Sequence, residues 1–107
     1  MVQPRTLYED GRPYTVPDSL EELTGPTTGV VELPPRLDWS EQGRYDLSDP
    51  RQRNLMYEVV LRESMRVEDL RAFIDGATLA RVWRRLWLPR KVRDLWESRF
   101  PGLPGAA

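Results

Sequence analysis

The stretch from Leu79 to Phe100, LARVWRRLWLPRKVRDLWESRF, decides how the carboxyl-terminal part of this chain folds. Apolar residues recur in its first half at the spacing i, i+3, i+4, i+7, which places them on one face of a helix. The members of this face are Leu79, Val82, Trp83 and Leu86. Pro89 interrupts the pattern, because proline lacks the N–H that a helix interior needs. The stretch therefore predicts two short helices, over 78–87 and 89–100.

Two further helices are predicted upstream of this stretch. Asp49 is a good N-cap and Pro50 a good first helical residue, so a helix is expected over 50–64. A shorter helix is expected over 67–74, where two adjacent carboxylates at its start favour the positive end of the helix dipole. The first of these helices has a predicted apolar stripe formed by Leu55, Met56, Val59 and Val60.

The first third of the chain has the residue types of strands and turns. Thr6–Val16 is predicted to form a β-hairpin around Asp10-Gly11, because both positions of a tight hairpin turn require positive φ. A third strand is expected over 29–33, ended by two prolines. Residues 36–48 are predicted to form an ordered loop, stapled to the helices by its apolar side chains.

The expected fold class is α+β, with a small amino-terminal β-hairpin or three-strand element followed by a four-helix bundle. A chain of 107 residues has the length of one domain. Within it we expect a β-rich, partly flexible segment over 1–35, a helical core domain over 36–102 and a frayed tail over 103–107. The sequence leaves open whether 1–35 packs on the bundle, wraps a partner or exchanges between copies in a homodimer.

The composition argues against catalysis. Cysteine and histidine are both absent, which removes thiolate chemistry, the usual general base near neutral pH and the commonest metal ligands. Three carboxylates in the predicted loop, Asp38, Asp46 and Asp49, do not have the spacing of a calcium-binding loop. No glycine-rich phosphate loop or nucleophile elbow is present. We therefore predict a non-catalytic protein without a metal or cofactor.

The sequence also bears on location. The amino-terminal end has no apolar run typical of a signal peptide, and no stretch approaches the roughly 20 apolar residues that span a bilayer. The lack of cysteine fits a reducing compartment. These observations predict a cytoplasmic protein that does not associate with a membrane.

Positive charge is concentrated at the carboxyl-terminal end. Residues 81–107 carry seven cations and two anions, although the whole chain has a formal net charge of −1. Trp87 lies among these cations, and tryptophan and arginine dominate the hot spots of protein interfaces. We also include Tyr57 as a candidate contact, because this aromatic residue of the 50–64 helix is one position off the apolar stripe. The predicted partner-binding residues are Tyr57, Arg84, Arg85, Trp87, Arg90 and Arg93.

Alternative interpretations of these residues remain open. The basic cluster suits an acidic protein partner, DNA or RNA, or a solvated helix face. Two short helices joined by a tight turn resemble a helix-turn-helix reader, but the slightly acidic chain is unlike a typical nucleic-acid-binding domain. Trp87 equally suits a core or rim position. Tyr57 equally suits a half-buried ring with a solvated hydroxyl.

Residues 36–102 resemble a family of small actinobacterial proteins. The segments that carry the resemblance are Leu37–Ser40, Tyr45–Leu47, Asp49-Pro50, Met56–Glu63, Leu79, Trp83, Leu86, Leu88-Pro89, Val92-Arg93, Trp96-Glu97 and Arg99–Pro101. We associate this family with genes that lie beside nucleotidyltransferase toxins of the AbiEii type. The resemblance implies an antitoxin that neutralises the toxin by direct contact. The alternative, which rests on the residues themselves, is a nucleic-acid-binding transcriptional regulator that uses the basic helices over 78–99. The two functions are compatible, since antitoxins can also repress their own promoters.

Overall fold

The computed structural model describes residues 14–38 and 43–103. Two antiparallel strands precede four helices, in the order β1 (Val30–Glu32), β2 (Arg44–Asp46), α1 (Pro50–Glu63), α2 (Val67–Phe73), α3 (Gly76–Val82) and α4 (Arg90–Arg99). This architecture confirms the predicted α+β class, with a small β element followed by four helices.

The two strands pair with Val31 opposite Tyr45, and both of these side chains are buried. The strand expected over 29–33 is confirmed by β1. Its partner β2 lies in the segment predicted as a loop, so that prediction is wrong for 44–46. With three residues, β2 is too short for its alternation of exposed and buried side chains to stand out in the sequence. The hairpin predicted over 6–16 lies outside the described residues except for 14–16, which form no strand.

Helix α1 begins where its cap residues predict. The Asp49 carboxylate accepts a hydrogen bond from the Arg51 backbone N–H at 3.0 Å. The helix packs against β2 on one side and α2 on another, so its buried face is broad. The buried residues are Met56, Tyr57, Val59, Val60 and Leu61. The predicted stripe is therefore wrong at Leu55, which lies at the edge of this face and is 41% exposed.

A one-turn 3-10 helix, Leu20–Glu22, fastens the amino-terminal segment to the junction between α2 and α3. The backbone N–H of Gly25 donates to the Ile74 carbonyl at 2.9 Å, and that of Gly76 donates to the Leu23 carbonyl at 2.8 Å. A Cβ at position 76 would lie 2.1 Å from the Leu20 carbonyl oxygen. Position 76 therefore accepts only glycine, because the two backbones approach too closely for a side chain.

In the core, Trp83 of the 3-10 turn after α3 packs against Trp96 of α4. Both rings are fully buried, and their centroids are 6.0 Å apart. The indole N–H of Trp83 donates to a carboxylate oxygen of Glu97 at 2.9 Å. The helical face predicted over 78–87 is buried as expected, although α3 begins at Gly76, capped by Asp75, and ends at Val82, where a 3-10 turn follows it. Leu103, the first residue of the tail predicted to fray, belongs to the same buried core.

Asp69 lies in α2 with its side chain only 4% exposed. Its carboxylate accepts from two guanidinium nitrogens of Arg36, at 2.5 and 2.8 Å, and from Arg66 at 3.3 Å. The hydrogen bonds from Arg36 are the main reason why the pKa of Asp69 lies below its ordinary value; burial opposes this shift, and Arg66 lowers the pKa further. The sequence interpretation of Asp69, a favourable interaction with the helix dipole, missed this fixed pair.

The Asp69 cluster predicts a loss of stability at acid pH. Because the pKa of Asp69 is lower in the folded chain than in the unfolded chain, its contribution is present above the unfolded pKa. The contribution disappears as pH falls through the folded value. We expect Asp69→Asn to lower the free energy of unfolding by about 1–2 kcal/mol at pH 7, where Arg36 and Arg66 are partly solvated. Urea unfolding between pH 7 and 3 measures this. The free energies of unfolding of the original chain and of Asp69→Asn should converge as pH falls. A difference that stays constant with pH would contradict the stabilising role of the Asp69 carboxylate.

Candidate partner-binding surface

Trp87 has the most exposed large apolar side chain in the described ranges, at 85%. It lies in the connection 86–89, beyond the end of the 3-10 turn Trp83–Arg85 and before α4. Its backbone is nevertheless held in place, because the Trp87 N–H donates to a carboxylate oxygen of Glu58 at 2.8 Å. Leu86, next to it, is buried. The connection is thus held by the hydrogen bond of the Trp87 backbone and by the burial of Leu86, while the indole ring of Trp87 stays in solvent.

Three of the predicted arginines accompany Trp87 at the surface. Arg84 and Arg85 are exposed, and neither guanidinium forms an ion pair or hydrogen bond with any residue in 14–38 or 43–103. The Arg90 side chain is 92% exposed, and its guanidinium lies 3.7 Å from an exposed Asp94 carboxylate. An exposed pair of this kind contributes little to stability. All three cations are available to a partner, and with Trp87 they are called the Trp87 surface below.

Arg93, the fourth predicted arginine, is placed differently, because its side chain is engaged within the protein. Its side chain is half-buried and reaches from α4 back to the connection 86–89. One guanidinium nitrogen donates to the Leu86 carbonyl oxygen, and the guanidinium lies 5.2 Å from the centroid of the Trp83 ring. Another nitrogen is 3.9 Å from Glu97. Arg93 therefore fixes the connection that carries Trp87 instead of presenting its charge outward.

Tyr57 is likewise not a surface residue. Its side chain is 1% exposed, and its hydroxyl oxygen accepts from the Asp75 backbone N–H at 3.1 Å. Burial is the main reason why the pKa of Tyr57 is raised. The prediction of an exposed aromatic fails because two elements cover α1, and the ring joins that helix to the amino-terminal end of α3.

Sequence reasoning missed a groove beside the Trp87 surface. It has a volume of about 800 Å³ and is lined by the start of β2, the first turns of α1 and Arg85. Leu55 contributes exposed apolar area to it. The sequence signal for this groove was Leu55, but the apolar pattern of α1 led to the prediction that its side chain is buried. This surface is called the α1 groove.

The loop carboxylates considered as cation ligands have partners within the protein. The Asp38 carboxylate accepts from the Tyr45 hydroxyl, Asp46 from Ser48, and Asp49 from the start of α1. These hydrogen bonds lower the pKa values of Asp46 and Asp49. Within the described ranges no group of three or more acidic side chains is placed to hold a metal ion.

Among residues 14–38 and 43–103, no helix combines the length and apolar character that crossing a bilayer requires. Comparison with models of known protein families, with curated proteins and with solved structures finds no match to this chain.

Proposed function

We propose that this chain is a non-catalytic binding protein that holds an acidic protein partner through the Trp87 surface. The observation that carries the proposal is the 85% exposure of Trp87 on a connection whose backbone is fixed. Tryptophan supplies ~150–250 Å² of contact area on burial. A ring on a fixed backbone also loses little conformational freedom when it binds. Trp87 thus has the properties of an interface anchor.

The charges around Trp87 support an acidic partner. Arg84 and Arg85 have no ion pair among the described residues, and Arg90 has only a weak, solvated one. The planar guanidinium pairs with a carboxylate through two parallel hydrogen bonds, which gives both energy and orientation. A partner with carboxylates opposite these positions would gain association rate as well as specificity.

We further propose that the partner is a nucleotidyltransferase toxin of the AbiEii type and that binding neutralises it in the cytoplasm. The support is the resemblance of residues 36–102 to small actinobacterial antitoxin-like proteins. Such toxins hold acidic, metal-binding residues in a cleft that receives polyanionic substrates. An exposed indole flanked by arginines is suited to plug or flank such a cleft. The absence of cysteine fits a reducing compartment.

A nucleic-acid-binding regulator is the second candidate function. The excess of positive charge in 81–107, seven cations against two anions, favours it. It would act through helices α3 and α4. This function predicts binding to duplex DNA that weakens steeply with salt, because each phosphate that is neutralised releases counterions.

Co-expression with the product of the adjacent gene tests the first function. We expect the two chains to elute together in size-exclusion chromatography and the toxicity of the neighbouring product to fall. Separate elution with unchanged toxicity would contradict the proposal. A duplex-binding assay at about 50 mM salt tests the second function, and absence of binding there would reject it.

A further inference from the structure

The α1 groove brings together arginines that are far apart in the sequence. Arg44 enters it from β2, Arg51 from the first turn of α1 and Arg85 from the turn after α3. Arg44 has a 3.4 Å ion pair with Glu32, but both side chains are largely exposed, so this pair contributes little. Neither Arg51 nor Arg85 forms an ion pair within the described ranges.

The two carboxylates that line the groove are engaged by other donors. Asp49 accepts from the Arg51 backbone N–H at 3.0 Å and from the Gln52 amide at 3.1 Å. Glu58 accepts from the Trp87 backbone N–H at 2.8 Å. Their hydrogen bonds therefore serve the backbone and the helix cap, and the side chains of Arg51 and Arg85 keep their donors for an external acceptor.

The groove is continuous with the Trp87 surface. Leu55 and Glu58 are one helical turn apart on α1, and Glu58 binds the backbone of Trp87. Arg85 belongs to both surfaces. A ligand that covers Trp87 therefore meets Leu55 and Arg51 if it extends along α1.

We propose that the α1 groove is the second half of the partner interface and binds an acidic protein segment with an apolar side chain between its carboxylates. This inference rests on the proposed function and names the chemistry of the partner's contact. Charge complementarity selects the carboxylates, which pair with Arg51 and Arg85, while the apolar side chain covers Leu55. Asp49 and Glu58 would repel the continuous phosphates of a nucleic acid, whereas a protein segment can place its carboxylates away from them.

The test uses the full chain with the product of the adjacent gene as probe. Arg51→Glu places a negative charge in the groove and leaves the Trp87 surface unchanged. Arg81→Glu is the matched control, because Arg81 is an exposed arginine of α3 that does not line the groove. At about 150 mM salt we expect Arg51→Glu to weaken binding at least about tenfold and Arg81→Glu less than about threefold. Circular dichroism melting checks that both variants fold.

The outcomes separate this inference from the proposed function. If Trp87→Ala weakens binding but Arg51→Glu does not, the groove is no part of the interface and the proposed function stands. If neither Trp87→Ala nor Arg51→Glu weakens binding, both proposals are wrong. A second probe, a DNA duplex of about 20 base pairs, tests whether the groove binds the phosphates of a nucleic acid instead of a protein. If Arg51→Glu weakens binding of that duplex and leaves the protein probe unaffected, the assignment to an acidic protein segment is overturned.

Discussion

Replacing Trp87 with alanine is expected to weaken partner binding by at least about 30-fold, the loss typical of a tryptophan hot spot. The reason is the exposed indole on a fixed connection, which buries apolar area only when a partner covers it. The same replacement should leave the free energy of unfolding within about 0.5 kcal/mol of its original value, because the ring contributes little to the core. Isothermal titration calorimetry and urea unfolding measure the two quantities.

Two variants control this experiment. Met65→Ala removes another exposed apolar side chain, seven residues after Glu58 and beyond the end of α1, and should not change affinity. Trp87→Phe keeps an aromatic ring and should retain part of the affinity. Equal affinity of Trp87→Ala and the unaltered chain would show that the Trp87 surface is not the binding site, whatever the partner is.

Replacing Trp83 with alanine is expected to lower the free energy of unfolding by about 3–5 kcal/mol. The ring is fully buried, lies 6.0 Å from the Trp96 ring and 5.2 Å from the Arg93 guanidinium, and donates to Glu97. Its removal leaves a cavity and deprives Glu97 of a donor. Since whole domains are stable by only about 5–15 kcal/mol, this variant should unfold at much lower urea concentration.

Trp83→Phe keeps the prediction testable if the alanine variant does not fold. Phenylalanine preserves most of the apolar volume but has no N–H for Glu97, so a smaller loss of about 1–3 kcal/mol is expected. An unfolding free energy unchanged by both replacements would contradict the assignment of Trp83 to the core. Together with the Trp87 variants, these measurements test opposite roles for two tryptophans that are four residues apart.

The roles of Arg93 and Trp87 are linked through the connection 86–89. Arg93 donates to the Leu86 carbonyl, and Glu58 accepts from the Trp87 N–H. Both contacts fix the backbone of the connection. Arg93 therefore positions the connection that carries Trp87, and in the proposed binding function it would act through that connection.

The helices were predictable because their signals are local. The capping pair Asp49-Pro50, the periodic apolar face over 78–87 and the break at Pro89 each involve neighbours within one or two turns. The same local rules failed for β2, whose three residues take their structure from pairing with β1, and for Tyr57, whose burial depends on which elements cover α1.

By itself the sequence determined the α+β class, the starts of α1 and α2 and the buried face that holds Trp83, because these depend on residues close together in the chain. Only the tertiary structure decided that Trp87 stays in solvent, that Arg93 folds back and that Arg51 and Arg85 line one groove. Those outcomes depend on contacts between distant residues, such as the hydrogen bond that joins Glu58 to Trp87 across 29 positions. The residue pattern of a single helix does not predict which distant element will pack against it.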